Sequence, residues 1–302
     1  MKKFKIDILM TIHNGEDFLN DTINSLKAQT FQDWKLIIVN NCSTDNTSKL
    51  LEKIKQDSEK INVFNTNKLL SRPTVLNYGL ELCKNDYIGI LDADDLVSPN
   101  WLNDVKKIIN KNKNFGALVG NYIPIDENGK KLNKKKLFKF SQGNINHTLN
   151  YTFPCAHSGS IFVKKTLDRF EYPYNQDLLT GHDWRLFLKI SFFENILYID
   201  RDWVFWRRYS GSVTAKNQIT SKSDILKNLT YVKEQKLRFS IKIKKILMIV
   251  IQLYHLLKLF FINKKLINFL LTLIVLFFTP IFWFNKYQLM KIYLKKINEQ
   301  NH

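Results

Sequence analysis

Cysteine is scarce. Cys42, Cys83 and Cys155 are the only three in 302 residues, odd in number and far apart. That pattern supports neither a disulfide framework nor a thiolate metal cluster, and it fits a reducing compartment. Acidic residues are also few, 27 Asp plus Glu against 46 Lys plus Arg, which leaves a formal net charge of +19. The surplus selects anionic partners: phosphate-bearing small molecules, nucleic acid or an acidic membrane surface. Its sign alone does not choose among them. No internal repeat is present. The N-terminal MKKFKIDILMTIHNGED has a basic start, only a short apolar run and no small-residue cleavage pattern, so Ile6–Ile12 reads as a first strand rather than a secretory signal. At 45% hydrophobic and 24% charged residues, the chain can bury a sizeable core, near the upper size for one domain plus an appendage.

The first hundred residues alternate between two periods. Short β-rich runs (IDILMTI from 6, KLIIVN from 35, INVF from 61, YIGIL from 87) are separated by segments of helical spacing, such as Phe18, Thr22, Ile23 and Leu26, then Val75, Gly79, Leu80 and Cys83. Nearly continuous apolar strands joined by helix-length crossovers predict an α/β fold with a parallel sheet covered on both faces. Ligands of such sheets collect beyond the carboxyl ends of the strands. Three polar clusters fall at those ends: His13-Asn14-Gly15, NNCSTDNT from 40, and DADD from 92. From about Asn121 to Asn150 the pattern fades into the lysine-rich DENGKKLNKKKLFKF, expected to be a hairpin or a mobile loop. GSIFV from 159, NILYID from 195 and VFWRRY from 204 are expected to complete a mixed sheet.

Past about Ser240 two long apolar runs follow, residues 246–262 and 266–284, separated by Asn263-Lys264-Lys265. The second lacks any charge, and as a helix its nineteen residues reach about 28 Å, close to the ~30 Å hydrocarbon core. The first carries Gln252, His255 and Lys258 beside Lys242, Lys244 and Lys245, which suits a helix lying in the interface. Residues 241–302 hold ten lysines against one glutamate. We expect a monotopic or re-entrant anchor on the cytoplasmic leaflet, with the lysines meeting anionic lipid. The alternative is a core helical pair of a soluble protein.

Asp92, Asp94 and Asp95 stand within four residues at the end of a buried strand. Carboxylates this close stay ionised together most readily around a cation. Oxygen-only ligands suit a hard divalent ion, Mg²⁺ or Mn²⁺, which shares its shell with substrate phosphates. Taken alone, Asp94 and Asp95 could equally cap the helix that starts near Pro99.

The ordered set TIHNGEDFLNDTINSLKAQTFQDWKLIIVNNCSTDNT, SRPTVLNYGLELCKNDYIGILDADDLVSPNWL, CAHSGSIFVKK, TGHDWRLFLKI and WRRYSGSVT resembles glycosyltransferase family 2, the inverting nucleotide-sugar transferases of the GT-A fold, over about residues 5–215. The resemblance implies a mostly parallel mixed sheet flanked by helices and a catalytic domain over 1–220; the apolar runs and lysines beyond it are expected to form a basic, hydrophobic helical region over 221–302. It assigns Thr11, His13, Asn14 and Glu16 to the nucleotide, and Asn40 and Asn41 to the base, where members usually carry Asp-Asp-Gly-Ser or Asp-Asn-Gly-Ser. Asp45 is instead expected to cap the next helix. Val75-Leu76-Asn77-Tyr78-Gly79 lacks the arginine of the family's Ala-Arg-Asn-x-Gly, with Arg72 one turn earlier as its replacement. Asn77, Asp92, Ala93 and Asp94 complete the donor site. Asp94, with Asp92 and Asp95, matches the metal motif.

Asp183 falls on the family's catalytic base. Leu186, Phe187 and Ile190 lie three, four and seven residues beyond it, which puts its carboxylate on the helix's buried face. His157, Ser158, His182 and Trp184 are implied on the acceptor side, and Arg207 or Arg208 as a diphosphate clamp. Tyr209 replaces the histidine of Tyr-Arg-x-His. The implied partners are a nucleotide-diphospho-sugar, with a UDP-sugar favoured, and a glycan or lipid-linked acceptor in bacterial cell-surface polysaccharide synthesis. An anionic membrane surface on the cytoplasmic face is expected as well, and nucleic acid is not. A catalytically inactive membrane-tethered scaffold and a basic nucleic-acid binder are the competing classes; the oligomeric state is left open.

Overall fold

A computed structural model describes residues 4–132, 142–150, 155–178, 180–212 and 227–231. The chain divides into two compact units, Met1–Val232 and Lys233–His302. The second unit, with both long apolar runs and the expected membrane anchor, lies outside the described residues, as does the end of the lysine-rich loop. Among the described residues, no helix is long and apolar enough to cross a membrane.

The first unit starts as the alternating pattern requires. Strands β1 (Ile6–Ile12), β2 (Trp34–Asn40), β3 (Ile61–Asn65) and β4 (Tyr87–Ile90) alternate with helices α1 (Leu19–Lys27), α2 (Thr47–Gln56) and α3 (Arg72–Leu82). After β4 come a short β5 (Leu96–Val97), α4 (Trp101–Lys111), β6 (Ala117–Ile125), β7 (Gly143–Asn144), α5 (Asn146–Leu149), β8 (Ile161–Val163), α6 (Lys164–Leu167), α7 (His182–Ser191) and β9 (Ile196–Arg207). Among the described residues they form one nine-stranded sheet, ordered β3-β2-β1-β4-β8-β6-β9-β5, with β7 paired to β9. Strands β3, β2, β1, β4, β6 and β9 run one way, while β8, β5 and β7 oppose them. The sheet is therefore mixed and mostly parallel.

Helices cover both faces because strand side chains alternate. Ile6, Ile8 and Met10 of β1 join Ile23 and Leu26 of α1 and Trp101 and Val105 of α4 in one core cluster. On the other face, Leu9 lies against Gly79 of α3, where a Cβ would sit 2.4 Å from Leu9 Cδ1. There too, Phe162 of β8 packs on Phe187 of α7, ring centroids 5.2 Å apart.

Two elements depart from the sequence reading. Residues 117–125 form a full strand, although Gly116, Gly120 and Pro124 interrupt the pattern there. Gly120 is needed because Trp203 crosses it, within 2.5 Å of where a Cβ would be. The runs at 195 and 204 form one strand, β9, not two. The register between β6 and β9 slips at Gly120/Asn121 and Asn121/Tyr122, and this irregularity leaves Asp200, Arg201 and Trp203 of β9 without a register partner on β6. The expected hairpin is present in its described part, where Ile125 bridges Lys131 and the Lys130 N–H donates to Asp126 Oδ1 at 2.8 Å.

Gly159, just before β8, fixes the central strands to each other. Its N–H donates to the Ile90 carbonyl at 2.7 Å and its carbonyl accepts from Trp101 Nε1 at 3.0 Å. Its φ is +79°, and a Cβ would stand 2.1 Å from Val204 Cγ2. Left-handed strain and overpacking each cost about 1–3 kcal/mol, so Gly159→Ala is expected to lower unfolding stability by about 2–4 kcal/mol. A chemical-denaturation midpoint unchanged from wild type would contradict this role.

Candidate active site

The carboxyl ends of β1, β2, β4, β6 and β9 share one edge of the sheet, and the polar loops gather there. The loops after β1 and β2 are laced together. Asn14, at φ 53°, accepts from the Thr44 N–H at 2.8 Å through Oδ1, while its own N–H donates to Ser43 Oγ at 3.0 Å. The Gly15 N–H donates to Thr47 Oγ1 at 2.8 Å, and Glu16 accepts from the Asn46 N–H at 2.9 Å. Asp45 stands one residue before Asn46, the N-cap of α2; it accepts from the Thr47 N–H at 3.0 Å and also from the Glu16 N–H at 3.2 Å. Thr11 is half-buried and His13 exposed, the latter donating from Nδ1 to the Asn41 carbonyl at 2.9 Å.

Asn40 and Asn41, expected at the donor base, both turn inward. Asn40 is 3% exposed; its amide donates to Ser48 Oγ and Asn65 Oδ1 at 3.0 Å each. Asn41 matches the Leu70 backbone at two points, donating to its carbonyl at 2.8 Å and accepting from its N–H at 2.9 Å. An amide supplies both a donor and an acceptor, which an ionised carboxylate does not. Asparagines here therefore lock the loop to residues 65–70. Cys42 follows at φ 55°, in a conformation that favours glycine.

The acidic loop after β4 is held from several sides. Arg72, at the start of α3, pairs with Asp92 Oδ1 at 2.6 Å. That carboxylate raises the guanidinium's pKa against the opposing effect of burial. The Asp92 N–H donates to Ser158 Oγ at 3.2 Å, and the Ala93 carbonyl accepts from Thr22 at 2.9 Å. Asp94 accepts from the Tyr209 hydroxyl at 3.2 Å. Burial, then the Asp92 charge, raises the Asp94 carboxyl, against Arg72 and the Tyr209 hydrogen bond.

Asp95 does not join them on the cleft side. It is 1% exposed and accepts from the Arg207 N–H at 2.9 Å, and burial followed by the Asp94 and Asp92 charges pushes its carboxyl well up. Arg207 is not an exposed clamp either. It lies under the loop at 2% exposure, donating from Nε to the Asp94 carbonyl at 2.8 Å and also to the Glu127 carbonyl, with its Cζ 4.5 Å above Phe18. Arg208, on the opposite face of β9, stacks 4.3 Å above Trp206.

The other wall comes from α3, the 155–178 segment and α7. Asn77 does not face the donor site: it exchanges two hydrogen bonds with the Tyr174 backbone, at 2.8 and 2.9 Å. Tyr174 in turn pairs with His157 Nε2 at 2.7 Å. His182 stacks edge-on against both, 6.4 Å from His157 and 6.0 Å from Tyr174. Trp184 is turned away, 5% exposed, with Nε1 donating to the Leu149 carbonyl at 2.7 Å.

Gly181, at φ +65°, opens α7, and its carbonyl accepts from Asn228 at 2.8 Å. Half-buried Asp183 follows in the first turn, with Leu186, Phe187 and Ile190 buried behind it. The preceding His182 stacks on His157 and Tyr174, so the start of α7 adjoins the segment whose Ser158 accepts from the Asp92 N–H, and the Asp183 charge contributes to the field at Arg72, His157 and Tyr174. Tyr174, Asn228 and Tyr209's contact with Asp94 went unassigned from sequence, since each depends on chain closure over tens of residues.

Among the described residues, no group of three or more His, Cys, Asp or Glu side chains is arranged to hold a metal. Asp92 and Asp94 fit one differently. They are two hard oxygen donors on one loop, with the Asp94 carboxyl raised by burial and by the Asp92 charge, and Mg²⁺ or Mn²⁺ is commonly held by one or two carboxylates plus substrate phosphates.

Comparison with known proteins adds to this geometry. The family profile described as Glycosyl transferase family 2 matches residues 7–170. An uncharacterised glycosyltransferase of Methanocaldococcus jannaschii is 25% identical over 191 residues, 63% of this chain and 65% of that protein. The chain spans less than two thirds of that relative, and 37% and 40% of two other glycosyltransferase relatives. Among solved structures, Staphylococcus aureus TarS in complex with UDP-GlcNAc is similar at a TM-score of 0.63 and 19% identity, covering 76% of this chain and 65% of that one. The mannosyltransferase PcManGT of Pyrobaculum calidifontis, in complex with GDP-Man and Mn²⁺, is similar at a TM-score of 0.60 and 13% identity, covering 79% and 67%. These two likenesses establish the fold.

Burial lowers the His157 pKa to about 4, from an ordinary 6.5. The unfolded chain then binds a proton that the folded chain refuses, so stability is full above about pH 6.5 and declines as pH falls towards 4. Between those limits the loss is expected to approach about 1.4 kcal/mol per pH unit. Denaturation of wild type and His157→Gln at pH 7, 6, 5 and 4.5 checks this; equal slopes in the two proteins would disprove it.

Proposed function

The chain belongs to glycosyltransferase family 2 and has a GT-A-like α/β fold, and we propose that it transfers a sugar from a nucleotide-diphospho-sugar to a hydroxyl of a glycan or lipid-linked acceptor, with inversion. The observation that carries the proposal is the convergence on one sheet edge of Asp92 and Asp94, Arg72 paired to Asp92 at 2.6 Å, and the half-buried Asp183 whose field reaches Arg72.

Each group has a distinct task in this reading. Asp183 accepts the proton of the acceptor hydroxyl as its oxygen attacks the anomeric carbon. Arg72 supplies fixed positive charge beside the departing diphosphate and orients Asp92 through their 2.6 Å pair. Asp94, steadied by Tyr209, and Asp92 present oxygen ligands for Mn²⁺ or Mg²⁺. Bound there, a divalent ion supplies charge neutralisation for the nucleoside diphosphate leaving group. Inversion follows from a single displacement with the base opposite the leaving group.

TarS with UDP-GlcNAc and PcManGT with GDP-Man and Mn²⁺ support a nucleotide-sugar donor and a divalent ion. UDP-sugars are the first choice in our reading, and the lysine-flanked apolar runs of the tail support a site of action at the cytoplasmic face of a membrane, in cell-surface polysaccharide assembly.

A thermal-shift screen of UDP-GlcNAc, UDP-glucose and GDP-mannose with and without Mn²⁺ tests the donor, because a ligand that binds the folded state raises the melting temperature. One donor is expected to stabilise the wild type more with Mn²⁺ than without it. Asp94→Asn is expected to lose that difference. Once a substrate pair is identified, Asp183→Asn is expected to lower kcat by about 10²–10⁴-fold while still binding donor. Full turnover by Asp183→Asn, or a Mn²⁺ response undiminished in Asp94→Asn, would refute the assignment.

A further inference from the structure

The end of β9 points its side chains to two sides. Arg207 and Tyr209 reach the acidic loop, through the Asp94 carbonyl and the Asp94 carboxylate respectively. Trp206 and Arg208 alternate with them and so project from the other face of the strand. There, Trp206 meets Tyr122 of β6 edge to face, ring centroids 5.4 Å apart at 88°. The Arg208 guanidinium stacks 4.3 Å above the Trp206 ring. The ladder continues past β9 in support of this arrangement, since the Arg208 N–H donates to the Ile125 carbonyl at 2.9 Å.

The cluster lies beside the segment that enters the cleft: Tyr122 pairs in register with Val204, whose Cγ2 stands 2.1 Å from where a Cβ on Gly159 would be, one residue past Ser158. The Tyr122 phenol is made less acidic by burial and then by Cys155, and Arg208 counteracts both. Cys155, the thiol that acts on Tyr122, stands two residues ahead of His157 and three ahead of Ser158, which accepts from the Asp92 N–H. Tyr122, Trp206 and Arg208 are all half-buried, so each keeps part of its surface open. Among the described residues, no carboxylate lies within ion-pair distance of Arg208, although Asp92, Asp183, Asp21 and Glu194 are each near a basic neighbour.

From this geometry we infer that Tyr122, Trp206 and Arg208 form an acceptor subsite, in which the aromatic pair packs against a sugar ring and Arg208 holds an anionic substituent, a phosphate or a carboxylate, of the acceptor glycan. The inference rests on the transferase reading and adds the acceptor's chemical class to it. Large aromatic side chains present apolar faces at little entropic cost, which suits the C–H face of a pyranose. A planar guanidinium, fixed by stacking and without a carboxylate partner among the described residues, is prepared for bidentate contact with a phosphate or carboxylate.

The test uses the full chain on immobilised oligosaccharides ending in mannose 6-phosphate, glucuronate or unmodified glucose. Wild type is expected to bind the phosphorylated set, the uronate set or both at least tenfold more strongly than the neutral set, and the stronger of the two identifies the anion. Arg208→Gln is expected to reduce that preference to below threefold. Arg201→Gln, an exposed cation on the same strand, controls for bulk charge and is expected to leave the preference intact. Trp206→Ala, with Trp206→Phe as the milder variant, is expected to weaken binding to all three sets by at least fivefold. Melting curves check that each variant is folded.

No charge preference in wild type, or equal losses in Arg208→Gln and Arg201→Gln, would overturn the subsite. The wild type's melting shift with UDP-GlcNAc, UDP-glucose or GDP-mannose is read in parallel. A donor shift without charge-selective saccharide binding overturns the subsite alone. Charge-selective binding without any donor shift supports the surface and counts against the transferase reading instead.

Discussion

Three carboxylates within four residues repel one another most strongly where water is scarce, and the loop after β4 places them where burial already disfavours charge. Its surroundings answer that repulsion. Arg72 pairs with Asp92, the Tyr209 hydroxyl reaches Asp94, and a backbone N–H of Arg207 satisfies Asp95. Arg207 adds a buried cation beneath the loop, bound to the Asp94 carbonyl. Removing one partner of such a buried set leaves a charge unpaired, which costs more than the intact pair contributes. Helices α1 and α3, the segment before β8 and the end of β9 are thereby tied to one short loop, and that loop presents only two of its three aspartates outward.

Helix α3 carries this constraint across the cleft. Arg72 at its start holds Asp92, and Asn77, less than two turns further, exchanges two hydrogen bonds with the Tyr174 backbone. Tyr174 positions His157, whose ring is kept neutral by burial. The acidic loop and the wall opposite are thus referenced to one rigid helix, so Asp183 and Asp94 need not be positioned by long flexible loops. Precise placement of reacting groups is what a displacement reaction requires of a protein.

The strand and helix order of the first hundred residues was legible because apolar periodicity reports burial directly. Asp183 was legible from Leu186, Phe187 and Ile190, whose helical spacing fixes the face it shares. Strand β6 was not, because glycine and proline interrupt its pattern; the glycines are there to admit Trp203 and other bulky neighbours from distant parts of the chain. The inward turn of Asn40, Asn41 and Asn77 was equally hidden. A polar residue beside a cleft looks the same in sequence whether its amide meets a ligand or a backbone brought from elsewhere.

What the sequence determined by itself is the alternation of strands and helices, the three polar clusters at the strand ends, and the acidic string. These are local properties, set by side-chain period and by residues only a few positions apart. What the tertiary structure alone decided is direction: Asp95 and Arg207 inward, Asp94 towards Tyr209, Asn77 towards Tyr174, Trp206 and Arg208 to the far side of β9. Those orientations follow from contacts between segments often a hundred residues apart, such as Asp95 with Arg207 and Asn77 with Tyr174, and they become defined only when the chain closes into one sheet.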